Sequence, residues 1–314
     1  MIADPKENLL VLVGPTASGK TKLAIELAKA FHGEVISADS RYFYRELNIG
    51  TAKPSQQELA SVPHHLINIT TLDEPWSLGV YRRHCIKLIA EINARGRLPI
   101  LTGGTGQYIR AIVQNWKVPS QAPNEDLRKA IETWGNEIGF EQLYKRLSWI
   151  DPLAAEHIDY RNKRRSVRAL EVIFTSGERF SNSRGENFSP YNTLMLGLNL
   201  PREILYQRID QRIDEMISKG WIEEVLALKA AGKTEAMKKM GIIGYPELSD
   251  YLDGSLTLEE AMQLIRRNTR IYVRRQTNWF KPTDAEINWF NAQDPDLLEQ
   301  MLDLVSSHFG ITRD

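Results

Sequence analysis

Short apolar runs alternate with amphipathic stretches through the first third of the chain. Leu9-Leu10-Val11-Leu12-Val13 is uninterrupted and predicts a buried strand. Residues 22–30 predict the helix after it, and Glu34-Val35-Ile36-Ser37-Ala38-Asp39 a second strand. Residues 77–96 predict a helix closed by Gly96, and Leu98-Pro99-Ile100-Leu101-Thr102 a third strand. Alternation of this kind predicts an α/β fold with a parallel, doubly wound sheet flanked by helices. Ligands of such sheets sit beyond the carboxyl ends of the strands. Residues 14–21, the Asp39-Ser40 pair and Gly103-Gly104-Thr105-Gly106 all fall at such ends, so one pocket is expected.

The pattern then changes. Residues 119–123 begin and end with proline and predict a linker. Helical patterns at 124–148 and 163–175, with a break at Asp151-Pro152, predict a small helical insertion. Residues 176–190 are polar without an apolar period and predict a loop. Thr193-Leu194-Met195-Leu196-Gly197-Leu198-Asn199-Leu200 predicts a strand returning to the sheet. The remainder is expected to be helical. In 202–231, Leu205, Ile209, Ile213 and Met216 or Ile217 recur at helical spacing, and Arg208 and Arg212 share a face. Thr257-Leu258-Glu259-Glu260 is a capping box opening a long helix, with Pro282 beyond its end. The expected organisation is a core over 1–118, a helical insertion over 119–192 and a second core segment over 193–314.

Composition changes little in this picture. The chain has 314 residues, 42% apolar and 25% charged, ordinary for a water-soluble globular protein. Its start carries acids and lacks a signal-peptide core, and no stretch is long enough to span a membrane. The single cysteine, Cys85, makes no internal disulfide, and no Cys/His group has zinc spacing. A cytoplasmic monomer with no obligate protein partner is expected. The 40 basic and 40 acidic residues cancel, but not locally. Residues 161–168 hold five basic groups and no acid; residues 266–281 hold Arg266, Arg267, Arg270, Arg274, Arg275 and Lys281, again with no acid. Arg267, Arg270 and Arg274 form one helical stripe. Patches of this kind suit a polyanion.

The candidate chemistry starts with Gly14-Pro15-Thr16-Ala17-Ser18-Gly19-Lys20-Thr21, which fits the phosphate-loop pattern G-x-x-x-x-G-K-[ST]. Between a strand and a helix, such a loop aims backbone N–H groups and the positive end of a helix at one anion. Lys20 adds a charge and Thr21 a hydroxyl that can hold Mg²⁺. The loop specifies a diphosphate or triphosphate and no particular reaction. Asp39 has three readings: a Mg²⁺ holder, a general base, or a simple cap. Gly50-Thr51-Ala52-Lys53-Pro54 alone is an ordinary surface turn, and Gly103-Gly104-Thr105-Gly106 a turn that admits close backbone approach. His64 and His65 have no partner ligands and read as structural. The basic run 161–168 has a bland alternative as a solvated helix face. The second cluster is accompanied by Tyr272, Trp279 and Phe280, and cations with aromatic faces suit a nucleic-acid backbone and unstacked bases.

Taken in order, these motifs resemble the bacterial tRNA dimethylallyltransferases (tRNA isopentenyltransferases). The carriers are the phosphate loop, Ser37-Ala38-Asp39-Ser40-Arg41-Tyr42, Ile49-Gly50-Thr51-Ala52-Lys53-Pro54, Pro63-His64-His65-Leu66 and Gly103-Gly104-Thr105. Arg164-Arg165-Ser166-Val167-Arg168-Ala169-Leu170-Glu171-Val172, Gly241-Ile242-Ile243-Gly244-Tyr245 and Arg274-Arg275-Gln276-Thr277-Asn278-Trp279-Phe280 complete the series, over about 9–281. The resemblance implies a P-loop NTPase-like sheet with a helical insertion. It implies transfer of a dimethylallyl group from its diphosphate to N6 of adenosine 37, beside the tRNA anticodon. Lys20 and Arg212 would clamp the diphosphate with Thr21 and Mg²⁺. Asp39 would take the amine proton, and Thr105 would contact the target nucleotide. Asp39, Ser40, Arg41, Tyr42, Thr105, Arg128, Arg164, Arg165, Arg168, Met240, Gly241, Gly244, Tyr245, Arg274, Arg275, Gln276, Trp279 and Lys281 would meet the tRNA. The insertion would meet the anticodon stem. Asp159-Tyr160-Arg161-Asn162 departs from the family's usual His-Pro-Asn-Asp, and Arg274 stands where Lys is usual. The rival readings are a small-molecule kinase using ATP, an adenylate isopentenyltransferase acting on a free nucleotide, and a non-catalytic RNA-binding protein.

Overall fold

The apolar run at the start of the chain becomes β1 (Asn8–Val13), the fourth strand of a six-stranded sheet and buried on both faces. The computed structural model describes residues 6–118, 124–183 and 189–313. The expected linker at 119–123 and part of the expected loop at 176–190 lie outside them. The chain continues through α1 (Lys20–Ala30), β2 (Glu34–Ser37), α2 (Gln56–Ser61), β3 (His64–His65), α3 (Leu78–Ala94), β4 (Pro99–Thr102) and α4 (Gly106–Val113). The helical stretch that follows holds α5 (Glu125–Ile138), α6 (Phe140–Ile150), α7 (Pro152–Glu156), α8 (Lys163–Ser176) and a 3₁₀ turn at Phe180–Ser183. It returns through β5 (Asn192–Asn199), α9 (Arg202–Ser218), α10 (Trp221–Ala230), α11 (Thr234–Met240), α12 (Tyr245–Leu252), α13 (Leu258–Gln276), β6 (Ile287–Asn291) and α14 (Leu297–Phe309).

The sheet order is β3-β2-β4-β1-β5-β6, and every pairing is parallel. Leu10 pairs with Ile100 on one side and Leu194 on the other. Because all strands point one way, the ends of β1, β2 and β4 lie together, with the phosphate loop, Asp39 and the glycine-rich turn. Leu10, Leu12, Ile100, Leu194 and Leu196 pack with Leu27 and Ala28 of α1 and Met301 and Val305 of α14.

The chain forms two compact units. One holds the sheet: residues up to Trp76, Arg83–Ile109 and from Tyr191 onward. The other comprises Ser77–Arg82 and Arg110–Pro190. It has its own apolar centre, with Ile131, Leu143, Leu147, Val167 and Leu170. Asn124, Asp151 and Asn162 cap α5, α7 and α8 by accepting from backbone N–H groups.

Three expectations change. The helix expected over 124–148 is broken at Gly139 into α5 and α6, and that over 202–231 at Gly220 (φ 97°) into α9 and α10. A positive φ ends the hydrogen-bond ladder, which apolar spacing alone does not reveal. The C-terminal region is not wholly helical, since β6 adds an edge strand pairing Leu196 with Asn288 and Leu198 with Phe290.

Glu34 starts β2 at the end of the sheet away from the phosphate loop. It is 3% exposed and accepts hydrogen bonds from His65 (2.6 Å), Arg95 (2.8 Å) and Arg97 (3.1 Å). His65 is thereby structural. Burial pushes the Glu34 pKa up, but the hydrogen bonds from Arg95 and His65 win and hold it below the ordinary value. A depressed carboxylate contributes stability above its unfolded pKa and loses it as pH falls through the folded value. Glu34→Gln should cost about 1–3 kcal/mol at pH 7, the range for buried polar groups left unsatisfied. Denaturant titrations from pH 7 to pH 3 should show that gap narrowing below about pH 4.5, the ordinary glutamate value. A gap constant with pH would exclude this account.

Candidate active site

The phosphate loop forms because β1 ends at Val13 and α1 begins at Lys20, leaving a tight turn between them. Ala17 (φ 67°) and Gly19 (φ 98°) both take positive φ, which turns successive N–H groups toward one concavity. Lys20 is 9% exposed, and its Nζ folds back to donate to the carbonyls of Gly14 (2.8 Å) and Pro15 (2.7 Å). Burial lowers its pKa to about 7; Asp39 opposes the fall and Arg212 adds to it. Ser18 Oγ is buried in the same turn without a hydrogen-bond partner among the described residues.

The ends of β2 and β4 are pressed together backbone to backbone. A Cβ on Gly103 would lie 2.2 Å from the Ala38 carbonyl carbon and 2.6 Å from the Asp39 nitrogen, so no side chain fits there. The Thr105 N–H donates to the Ala38 carbonyl (3.0 Å), and the Ser40 N–H donates to Thr105 Oγ1 (3.1 Å). Asp39 Oδ1 accepts from the Arg41 N–H (3.0 Å). The Tyr42 hydroxyl and an Arg212 N–H both donate to the Ala52 carbonyl, at 3.0 and 3.1 Å. Burial, reinforced by Asp39, raises the Tyr42 pKa, so the phenol stays protonated.

Arg212 comes from α9, whose faces have separate tasks. Leu205, Ile209 and Ile213 are buried. Asp210 and Asp214 pair with Arg270 and Arg266 of α13. Arg208 and Arg212 line the cavity. The stripe of free cations expected on α13 is therefore interrupted: Arg270 is ion-paired and also lies over the Tyr206 ring. The sequence could not show this, because the pairing acids lie on another helix.

Glu224 of α10 was not singled out from sequence. Its carboxylate accepts from the N–H groups of Asn48, Ile49 and Gly50 and from the Tyr245 hydroxyl. It thereby holds the 48–54 turn whose Ala52 carbonyl receives Arg212. Tyr245 is fully buried, and Gly244 is buried against the Trp221 ring, so both brace this turn. No local pattern announces Glu224, since the backbone N–H donors it serves lie over 170 residues away in sequence.

The other candidate nucleic-acid contacts fall into two groups. Arg164, Arg165, Arg274, Arg275 and Lys281 are exposed, with no ion pair among the described residues. Gly241 is exposed at the cavity, and Met240 beside it is half-buried. By contrast, Arg128 (3.0 Å) and Arg168 (2.8 Å) are both paired with Glu171, which is 1% exposed. Gln276 is buried, and Trp279 packs over Gly106.

Within the sheet-bearing unit, Thr16, Ala17, Gly19, Lys20, Thr21, Asp39, Arg41, Tyr42, Gly104, Arg208 and Arg212 line one cavity of about 570 Å³. Ile209, Ile213, Ile242 and Ile243 give it an apolar part. It therefore combines a cationic anion site, an apolar wall and a carboxylate. Among the described residues no cluster of three His, Cys, Asp or Glu side chains could hold a metal.

Known proteins resemble this chain over most of its length. The IPP transferase family model matches residues 42–283, starting just after Asp39. The chain is 42% identical to the tRNA dimethylallyltransferase of Thermomicrobium roseum over 300 residues, covering 96% of this chain and 91% of that one. Among solved structures, the full-length tRNA isopentenylpyrophosphate transferase of Bacillus halodurans matches with TM-score 0.72 at 41% identity, over 97% of both chains. A eukaryotic dimethylallyltransferase acting on tRNA matches with TM-score 0.84 at 28% identity, over 96% of this chain and 79% of that one.

The low pKa of Lys20 has a measurable consequence. At pH 8 it is mostly neutral, and a diphosphate seated beside it would restore its charge. Binding of an alkyl diphosphate at pH 8, where the ligand is already ionised, should take up about one proton. Its affinity should fall as pH rises above about 7. Calorimetry in buffers of different ionisation enthalpy measures the uptake, and zero uptake would refute the assignment.

Proposed function

We propose, because this chain belongs to the IPP transferase family, that it transfers a dimethylallyl group from dimethylallyl diphosphate to N6 of adenosine 37 beside the tRNA anticodon. The products are N6-isopentenyladenosine and diphosphate. The observation that carries this reading is the single cavity in which Lys20, Arg212 and Asp39 meet beside an apolar wall. A kinase would need the phosphate loop for ATP; the relatives' names favour prenyl transfer to tRNA over phosphoryl transfer or a free-nucleotide acceptor.

The chemistry follows from the partners. An exocyclic amine is a weak nucleophile because its lone pair is delocalised into the purine. The donor carbon must carry substantial positive charge, which an allylic group tolerates by resonance. As its C–O bond lengthens, negative charge grows on the diphosphate. Lys20, Arg212 and the loop N–H groups are preorganised to meet that charge. N6 bonds to the allylic carbon, diphosphate departs, and Asp39 takes the proton that positive nitrogen sheds. Thr105 is hydrogen-bonded to Ser40, next to Asp39 and Gly104 of the cavity lining, and would contact the target nucleotide there. The adenine must leave its stack to reach a cavity, at about a few kcal/mol, which backbone contacts offset.

Mg²⁺ fits this site in a limited way. Thr21 lines the cavity, and Mg²⁺ commonly keeps several waters and binds substrate phosphates through few protein ligands. Thr21 and the donor's own oxygens would hold it, and it would supply further neutralisation of the leaving group. A tRNA substrate supports a cytoplasmic location.

Two experiments test this. Unmodified tRNA incubated with protein, Mg²⁺ and dimethylallyl diphosphate should yield isopentenyladenosine by nucleoside mass spectrometry. Asp39→Ala should slow its formation about 10²–10⁴-fold, the span for a lost general base, with donor affinity changed much less. Normal turnover by that variant would remove Asp39 from the role. Arg164→Ala and Arg165→Ala should each lower the salt slope of tRNA binding by about one unit without loss of stability. Arg168→Ala should instead lower the melting temperature, because it strips a partner from buried Glu171. Unchanged slopes in the first two would leave those arginines as surface charge.

A further inference from the structure

Gln276 ends α13, on the helix that carries the exposed Arg274 and Arg275. Its neighbours suggest a contact with nucleic acid, yet its own side chain turns inward and is 8% exposed. Oε1 accepts from the Thr16 N–H of the phosphate loop at 2.9 Å. Nε2 donates to the Gly104 carbonyl at 2.9 Å, where the Tyr272 hydroxyl also donates at 3.4 Å. Only this orientation of the amide serves both groups, because Thr16 offers a donor and Gly104 an acceptor. The contact is close: a Cβ on Gly104 would lie 2.8 Å from Gln276 Nε2 and 3.0 Å from Asp39 Oδ2.

We propose that Gln276 is a positioning residue that ties the donor's phosphate loop to the glycine-rich turn beside Asp39, and that it does not read tRNA. This rests on the transferase reading above. One amide spans the two halves of the reaction. Through Thr16 it fixes the N-terminal half of the loop that receives the diphosphate. Through Gly104 it fixes the backbone packed against the carboxylate that receives the amine proton. A neutral amide suits the place, since it offers a donor and an acceptor without adding charge beside Lys20.

The near-isosteric Gln276→Met loses both hydrogen bonds. Its affinity for dimethylallyl diphosphate, measured by calorimetry without tRNA, should weaken about tenfold, the scale of one or two net hydrogen bonds. Its tRNA dissociation constant should stay within about twofold. Gln276→Glu supplies a second test. Ionised, its second oxygen faces the Gly104 carbonyl as acceptor against acceptor; protonated, it can donate there while the first oxygen accepts from Thr16. Its rate deficit against wild type at each pH should therefore shrink as pH falls, which a merely space-filling residue would not show. Weakened tRNA binding with donor affinity intact would overturn the proposal, as would a pH-independent deficit in Gln276→Glu. Should wild type yield no isopentenyladenosine, the transferase reading fails, while the donor-binding comparison still decides whether Gln276 holds the loop.

Discussion

The contact between Gly103 and the Ala38–Asp39 backbone is the constraint on which the site depends. Group transfer between two separately bound substrates is sensitive to displacements of about 1 Å, which can cost about 10²-fold in rate. Two loops joined only by long side chains would drift by that much. Here the ends of β2 and β4 meet without side chains between them, and the Thr105 hydroxyl closes the join onto the Ser40 N–H. Parallel pairing of β1 with β4 and of β4 with β2 then carries the phosphate loop into the same frame. Asp39 and Lys20 owe their shared cavity to strand register.

Charge is arranged at similar cost. Burying an ammonium is unfavourable, as the lowered pKa of Lys20 records, and the Gly14 and Pro15 carbonyls recover only part of the loss. On the proposed function, the donor's diphosphate would complete the site and offset this cost. Arg212 is held less expensively. Asp210 and Asp214 fasten α9 to α13 on one side, and Glu224 fixes the turn whose Ala52 carbonyl orients the guanidinium on the other. Both supports are acidic residues near the surface of helices, away from the cavity.

The parallel sheet, the phosphate loop and the convergence of three strand ends were legible because each is local. The apolar run 9–13, the loop glycines and the residues after β2 and β4 are contiguous in sequence. The breaks at Gly139 and Gly220 were hidden inside continuous apolar periods, where one positive φ outweighs a favourable pattern on either side. Strand β6 was missed because Ile287, Trp289 and Phe290 form a short apolar set among polar residues, and only its parallel pairing with β5 makes it a strand. Glu224 and the inward turn of Gln276 were illegible for another reason. Each satisfies backbone groups brought near by the fold, and nothing beside them in sequence marks that duty.

The same distinction governs the basic clusters. A count of arginines along α13 gives a uniform cationic helix, but Arg266 and Arg270 in its middle pair with Asp214 and Asp210 of α9. Arg267 stays exposed mid-helix, and the exposed Arg274 and Arg275 fall in the last turn, where the helix dipole is negative and cations are favoured. That end also presents Gln276 to the phosphate loop and Tyr272 to Gly104. Exposed positive charge at this end thus lies on the same helix whose inner side chains bond the phosphate loop and the glycine-rich turn. In the second unit, Arg128 and Arg168 likewise satisfy Glu171, while Arg164 and Arg165, one turn nearer the start of α8, stay exposed. On both helices, inward pairing decides which of several adjacent arginines remain available to a ligand, and a chain with zero formal charge still offers localised cationic surfaces.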